Sequence, residues 1–279
     1  MKVVYTPDSQ MRRPGLLLRS MWRDLLDSRE LAWRLFLRDF YARYRSSVLG
    51  IVWAFLPPVA TGLVFIFLQA RGVVRFGETG IPYPVYVLVG TVLWQLFTES
   101  INAPLTTVRA SVSMISKVNF PREALIVSSL YQILLSLLIK VVILAGTFIY
   151  FKIPPIWGLA ASGFAIFVLI LLGLSIGLLL TPLGLLYSDV ASSLVIVTQA
   201  WFFLTPVVYP APKSFPFNLI ANLNPVTPVL STARDLMTIG TIAEPGAFAV
   251  VCVLAVVGLF AGWIFYRLAI PILLERMGA

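Results

Sequence analysis

Residues 157–180 read WGLAASGFAIFVLILLGLSIGLLL, and no charged side chain interrupts this stretch. The hydrocarbon core of a bilayer is about 30 Å thick, and a helix of about 20 apolar residues crosses it. The whole chain has a similar character, because 59% of its 279 residues are hydrophobic and only 12% are charged. A soluble domain carries about 25% charged residues. We therefore predict an all-α integral membrane protein and exclude a soluble enzyme.

Five further apolar runs of similar length contain at most one charge each. We predict six transmembrane helices, at residues 46–70, 84–107, 124–151, 157–180, 190–208 and 247–268. Pro57 and Pro58 break the first span, and Gly173 and Gly177 have the small-xxx-small spacing that lets helices approach closely. The spans predict three regions: a cytoplasmic segment 1–45, a membrane domain 46–268 and a cytoplasmic tail 269–279.

The distribution of basic residues predicts the orientation. The chain has 21 Lys and Arg against 12 Asp and Glu, a formal charge of +9. Fifteen of the basic residues lie before the first span, after the second span or at the C-terminal end, and five lie in the opposite loops. By the positive-inside rule, both termini and the loop 108–122 are cytoplasmic. The excess charge is then expected of a membrane protein and implies no nucleic-acid partner.

The residue inventory excludes several classes of site. The sequence has no histidine and one cysteine, Cys252, which excludes disulfides, His-based metal sites and zinc sites. It also lacks a G-x-x-x-x-G-K-[ST] motif, so it has no phosphate-binding loop of its own. An ion-coupled transporter or an intramembrane enzyme would need clustered acids. Glu99, Glu123 and Asp189 instead lie on different predicted elements.

Glu99 and Lys140 are the ionisable residues inside the predicted spans. At 1.5 Å per residue, Glu99 lies ~12 Å and Lys140 ~25 Å from the cytoplasmic end of its span. This offset predicts that the two do not form a direct ion pair. Lys140 would instead extend to the outer interface.

Residues 28–45, SRELAWRLFLRDFYARYR, predict an amphipathic helix in the headgroup plane, with an aromatic and an arginine flank. Asp27 and Glu30 form a candidate capping pair at its start. The alternative is a buried helix of a small cytoplasmic domain. The candidate interfacial residues are Trp33, Phe36, Arg38, Phe40, Arg43, Tyr44 and Arg45.

Two further segments are neither spans nor ordinary loops. Residues 209–240 are apolar but contain five prolines, which predicts two short helices, roughly 217–223 and 228–237, as an outer gate. The alternative is an amphiphilic loop on the outer headgroups.

The loop SKVNFPRE at 116–123 surrounds an exposed aromatic with charges, which suits docking into a partner's groove with Phe120 as anchor. The alternative is a turn with Pro121 at the first helical position.

Four motifs together resemble a known family. They are RYRSSVLGIVWAFLPP at 43–58, SKVNFPREAL at 116–125, YSDVASSLVIVTQAWFFLTPVVYP at 187–210 and LNPVTPVLSTARDLM at 223–237. Their order and spacing resemble the membrane subunit of ABC-2 type exporters of polysaccharides and polyol phosphates, which include O-antigen, capsule and teichoic acid permeases. The resemblance extends from about Leu31 to the C-terminus.

The resemblance implies a non-enzymatic permease of the bacterial cytoplasmic (inner) membrane. The chain would form a homodimer with two copies of a separate nucleotide-binding ABC ATPase, which would bind ATP and Mg, so the chain itself needs no cofactor. Its substrate would be a lipid-linked glycan or polyol-phosphate polymer. Where the family often shows Y-R-D-V, this sequence has Tyr187-Ser188-Asp189-Val190, so a charged contact there is in doubt.

Site residues follow from the same resemblance. The ATPase-coupling loop would comprise Ser116, Lys117, Asn119, Phe120, Pro121, Arg122 and Glu123. Aromatic faces suit a sugar passage, because sugar C–H groups pack on rings. The candidate passage and gate residues are Trp53, Phe55, Trp201, Phe202, Tyr209, Pro210, Asn224 and Pro225. The aromatic members could equally face lipid or pack in a core. Alternative functions are an ABC-2 exporter of drugs, haem or small lipids, a membrane-embedded glycosyl- or phosphotransferase, and a passive channel.

Overall fold

The computed structural model describes residues 14–45, 47–73, 77, 79–115, 118, 120–153, 157–212 and 214–278. These residues form α-helices, one 3-10 helix at Gly50–Ala54 and no strand. The helices are α1 (Pro14–Asp27), α2 (Arg29–Tyr44), α3 (Leu56–Ala70), α4 (Tyr83–Ile115), α5 (Glu123–Tyr150), α6 (Gly158–Leu186), α7 (Ser188–Leu204), α8 (Phe217–Leu223), α9 (Val226–Thr238) and α10 (Pro245–Gly278).

Four of these helices, α4, α5, α6 and α10, are long and apolar enough to cross a bilayer. Two shorter apolar helices, α3 and α7, occupy the first and fifth predicted spans. The predicted first span breaks directly before Pro57 and Pro58, because the 3-10 helix ends at Ala54 and α3 begins at Leu56 with both prolines in its first turn. A proline there removes a backbone N–H that has no helical partner anyway. The 3-10 helix occupies the earlier part of the predicted first span.

Several helices run past the predicted ends of their spans. Helix α4 continues from 107 to Ile115, α6 passes Pro182 to reach Leu186, and α10 continues through residue 268 to Gly278. Arg109 does not end α4, because its guanidinium donates to the Gly184 carbonyl of α6. Because α4 ends at Ile115, every residue in it lies farther from the end of the helix than the predicted span implied.

Helix α6 is the centre of the bundle and packs against α4, α9 and α10. Its close approach to α4 depends on the predicted small-residue pair. A Cβ on Gly177 would lie 2.5 Å from the Ile101 carbonyl oxygen, and one on Gly173 would lie 2.6 Å from the Ser100 Cβ. The predicted close helix approach is therefore confirmed.

We expect Gly177→Ala to destabilise the fold by about 1–3 kcal/mol, because the added methyl group must push α4 away from α6. Gly163 is the matched control: it lies in the same helix, and a Cβ there meets nothing within 4 Å. Gly163→Ala should be neutral or stabilise slightly. Thermal unfolding of the detergent-solubilised variants measures both. Equal midpoints for the two variants would contradict the role of Gly177.

The N-terminal helices lie at the end of the bundle where α4 ends and α5 begins. Helix α1 was not predicted, whereas α2 was predicted within one residue of its observed bounds. The capping pair of Asp27 and Glu30 is wrong, because Ser28 precedes α2 with helical backbone angles and its hydroxyl donates to the Asp24 carbonyl. The two helices therefore follow each other almost without interruption.

Candidate functional site

A buried charge cluster joins three helices that are distant in sequence. The Arg267 guanidinium of α10 donates to the Glu123 carboxylate at the start of α5 and, at 2.7 Å, to Asp24 Oδ2 of α1. It also donates to the Ser20 hydroxyl at 3.2 Å. The side chains of Arg267 and Glu123 are 8% and 5% exposed. We call Asp24, Glu123 and Arg267 the Arg267 corner. Sequence reasoning identified Glu123 but missed its two partners.

The predicted coupling loop ends at this corner. Ser116, Lys117 and Asn119 lie outside the described residues. The side chains of Phe120, Pro121 and Arg122 are partly buried, and the Tyr266 hydroxyl donates to the Arg122 carbonyl at 3.3 Å. Phe120 was expected to be exposed; it is partly buried, because it packs against the apolar cluster around Tyr266. The segment is thus anchored to α10 by its backbone and by Glu123.

The aromatic flank of α2 is covered in part by protein. Phe36 is buried, and its ring lies 6.0 Å from that of Tyr131 in α5, while Trp33 contacts the same ring edge-on at 5.5 Å and stays half exposed. Arg38 donates to the Ser111 hydroxyl of α4 at 2.9 Å. Tyr131 of α5 therefore covers part of the aromatic flank of this helix. Phe40 is partly buried and Arg43 and Arg45 are exposed, whereas the side chain of Tyr44 is not described.

Glu99 and Lys140 form an ion pair, so the prediction that these two residues do not pair directly is wrong. Lys140 Nζ lies 2.7 Å from Glu99 Oε2, and the Ser136 hydroxyl donates to the same oxygen. Because α4 ends at Ile115 and not near 107, Glu99 lies ~24 Å from that end, which matches the ~25 Å between Lys140 and the start of α5. The pair lies in the middle of both helices.

A cavity of about 600 Å³ opens beside this pair. It extends from α2 and the 3-10 helix to the middle of α4 and α5, and its lining includes Phe36, Phe40, Trp53, Asn102 and Gln132. Trp53 itself is 53% exposed. We call this space the mid-span cavity. It brings one predicted passage residue, Trp53, together with the predicted interfacial helix.

A second buried arginine fixes the opposite end of the bundle. Arg234 of α9 donates to the Pro206 carbonyl at 3.2 Å, and its guanidinium carbon lies 3.7 Å from the centre of the Tyr86 ring in α4. The Tyr86 hydroxyl in turn donates to the Tyr209 carbonyl at 2.9 Å. Burial raises the pKa of the adjacent Asp235 carboxyl, and the Arg234 charge opposes this rise. Sequence reasoning counted Arg234 only as a loop charge.

Trp201 and Asn224 connect α7 to the turn between α8 and α9. The Trp201 indole N–H donates to Asn224 Oδ1 at 3.0 Å, and Asn224 Nδ2 donates to the Thr205 hydroxyl at 2.7 Å. Asn224 Oδ1 also accepts from the Val226 N–H at 3.1 Å, and Pro225 precedes α9 directly. The two short helices lie close to their predicted positions, while their role as a gate stays a prediction.

We expect Asn224→Ala to lower the free energy of unfolding by about 1–3 kcal/mol, because the Trp201 indole N–H and the Val226 N–H lose their acceptor and the Thr205 hydroxyl loses its donor. Asn218→Ala is the matched control, since the structure gives the Asn218 side-chain oxygen no hydrogen-bond partner. That variant should change the stability by less than about 0.5 kcal/mol. Denaturant unfolding monitored by tryptophan fluorescence compares the two. A control as destabilised as Asn224→Ala would contradict this network.

A second cavity, of about 540 Å³, lies between α3, α4 and α7. Its described lining carries no charged side chain and combines Phe65, Trp94, Phe202 and Phe203 with Thr, Gln and Asn residues. Phe202 is the one predicted passage residue among its described lining residues. The other predicted passage residues lie elsewhere. Trp201 packs edge-on against Trp94 and Phe97 in the core, and Phe55 and Pro210 are partly buried. The Tyr209 hydroxyl donates to the Phe203 carbonyl at 2.6 Å.

Comparison with known proteins identifies relatives that align with two thirds or more of this chain. The chain is similar to the O-antigen export system permease protein RfbA of Klebsiella pneumoniae, with 28% identity over 214 residues, which cover 74% of this chain and 79% of that protein. It is 28% identical to RfbA of Myxococcus xanthus over 67% of this chain and 71% of that protein. The polysialic acid transport protein KpsM of Escherichia coli is 25% identical over 84% of this chain and 91% of that protein.

A family model gives the same result. The model of the ABC-2 type transporter family matches residues 30–238, which run from α2 to the end of α9. With its long apolar helices, the chain is a multi-pass membrane protein. The resemblance inferred from the four motifs is confirmed, and the chain belongs to the ABC-2 type transporter family.

Proposed function

We propose that this chain is the transmembrane subunit of an ATP-driven exporter that moves a lipid-linked polysaccharide across the cytoplasmic membrane. The observation that carries this proposal is the match to the family over residues 30–238, together with relatives named for O-antigen export and polysialic acid transport. These relatives align with two thirds or more of the chain. The polymer itself would be O-antigen-like, a capsule or a polyol phosphate such as teichoic acid.

Power for transport would come from a separate subunit. The sequence contains no phosphate-binding loop, so ATP and Mg would bind to an ABC ATPase, in two copies on a homodimer of this chain. Residues 116–123 would contact that ATPase. The anchoring of Glu123 by Arg267 supports this role, because a force applied to the loop would be carried directly into α10 as well as α5.

The membrane topology would comprise six spans, with α3 and α7 added to the four long helices. Both are shorter than a bilayer core, at ~22 and ~25 Å. The 3-10 helix before α3 and residues 205–208 after α7 would add the missing length. The excess of basic residues before the first span and after the second supports cytoplasmic termini in the inner membrane, with a membrane domain of about 46–268 and a short tail.

The passage would run along α3, α4 and α7 and would include the mid-span cavity, because Asn102 of α4 lines both cavities. The uncharged, aromatic and hydroxyl-rich lining of the second cavity suits sugars, because rings contact C–H faces while hydroxyl and amide groups exchange hydrogen bonds. Helices α8 and α9 would form the outer gate above it. Trp201, Tyr209, Pro210, Asn224 and Pro225 would hold this gate in place. Trp53, Phe55 and Phe202 would lie nearer the path.

The test is reconstitution with the ATPase encoded beside this chain. We expect the chain alone to show no ATP hydrolysis, and the two proteins together to form a four-chain complex. In cells that lack the chromosomal copy, the complex should restore the surface polysaccharide, and a partner with an inactive ATP site should not. Polymer export by this chain without a hydrolysing partner would overturn the proposal.

A further inference from the structure

The ion pair between Glu99 and Lys140 is asymmetric. The Lys140 side chain is 2% exposed, while the Glu99 side chain is 44% exposed. Both donors to the carboxylate, Lys140 and Ser136, hold the same oxygen, Oε2. Glu99 lines the mid-span cavity, whereas Lys140 is not among its lining residues. Lys140 is thus the supporting partner, and Glu99 presents its carboxylate to the mid-span cavity.

The other groups around Glu99 have the chemistry of a sugar site. Aromatic rings of Phe40 and Trp53 line the same cavity as the amides of Asn102 and Gln132. Rings stack on the C–H faces of sugars, and amides both donate to and accept from hydroxyl groups. A carboxylate accepts from hydroxyl donors in charge-assisted hydrogen bonds, which are about twice as strong as neutral ones.

The Glu99 carboxylate itself favours a neutral group beside it. Its described lining carries one cation, Arg43, against two carboxylates, Asp39 and Glu99. The Asp39 carboxylate is already paired with Arg38 at 2.7 Å. A phosphate or carboxylate group placed against Glu99 would meet like charge at that carboxylate, whereas hydroxyl groups would meet an acceptor.

We propose that Glu99 is a sugar-binding residue that accepts hydrogen bonds from the hydroxyl groups of a neutral unit of the exported polymer, and that Lys140 positions its carboxylate. This inference rests on the proposed export function and adds the chemical class of the unit at this point. Oε1 takes the ligand hydroxyls, because Oε2 is held by Lys140 and Ser136. Trp53 and Phe40 contact the faces of the sugar rings.

Three variants separate ligand binding from a structural role. Glu99→Gln keeps the shape but weakens the acceptor, Lys140→Met leaves Glu99 without its partner, and the double variant removes both charges. Export of the native polymer by the complex with its ATPase is measured beside membrane abundance and ATP hydrolysis. We expect Glu99→Gln to lower export at least tenfold when export is expressed per molecule of the protein in the membrane. The double variant should stay equally impaired, although it buries no unpaired charge.

The outcomes are distinct. If the pair is structural only, the double variant recovers wild-type export, and this result overturns the proposal, as does normal export by Glu99→Gln. Where a single variant fails to insert, the double variant still reports on Glu99.

Composition analysis of the polymer that accumulates inside cells depleted of this chain gives a second test. A repeat unit in which every sugar carries a carboxylate or phosphate would overturn the neutral ligand. If cells without this chain still export the polymer, that result would instead refute the proposed function.

Discussion

Replacing Arg267 by methionine should destabilise the protein so strongly that little folded protein is found in the membrane. The guanidinium is the shared partner of Glu123 and Asp24, and it is 8% exposed. Removal of one partner from a buried pair costs about 3–5 kcal/mol, because an uncompensated charge is left behind. A native protein has about 5–15 kcal/mol of stability. We therefore expect a loss of several-fold or more in abundance, measured by quantitative immunoblotting and by thermal unfolding of the remaining protein.

Arg23 provides the matched control for this experiment. It lies in α1 beside Asp27 at 3.6 Å, and both side chains are more than half exposed, at 82% and 66%. Exposed pairs contribute little, so Arg23→Met should be neutral. The triple variant Asp24→Asn, Glu123→Gln, Arg267→Met should recover most of the stability, since it leaves no charge unpaired. Equal abundance of Arg267→Met and Arg23→Met would contradict the role of the Arg267 corner.

Reversal of charge at Lys117 and Arg122 should stop export while ATP hydrolysis continues. Both residues lie in the segment that we assign to ATPase contact, and complementary charge across an interface fixes its register. We expect the double variant Lys117→Glu, Arg122→Glu to lower polymer export at least tenfold, while the complex retains more than half of its ATP hydrolysis. Parallel measurements of phosphate release and surface polysaccharide give the ratio of export to hydrolysis.

Arg71→Glu is the control for this charge reversal. Arg71 is exposed and follows the end of α3, where its guanidinium lies 5.2 Å from the Phe67 ring. The Arg71→Glu variant changes the net charge in the same direction, but residue 71 lies far along the chain from the coupling loop. The ratio of export to ATP hydrolysis in this variant should therefore stay at the wild-type value. Unchanged transport in the double variant would remove the coupling assignment from residues 116–123.

Much of the fold follows from local patterns. Apolar runs with at most one charge each located every long apolar helix, and the proline spacing of 209–240 predicted the positions of α8 and α9. Gly173 and Gly177 predicted the close contact of α6 with another helix, although only the structure identifies α4 as that partner. These features depend on nearby residues, which the sequence displays directly.

Contacts between distant elements could not be predicted in the same way. Asp24, Glu123 and Arg267 are separated by about 100 residues or more, and Asp24 and Arg267 lie outside the segment that matches the family. The pair of Glu99 and Lys140 was missed for a different reason. Its prediction depended on the end of α4, and a charged residue, Arg109, was taken to end a helix that in fact continues.

The Arg267 corner also has a consequence for biosynthesis. Glu123 leaves the ribosome about 140 residues before its partner, so a nascent chain holds this carboxylate unpaired until translation of α10. The loop beside it stays poorly anchored during that interval. An incompletely translated or truncated chain would therefore present an unfinished docking surface, and the ATPase would assemble only on chains whose last helix has been inserted.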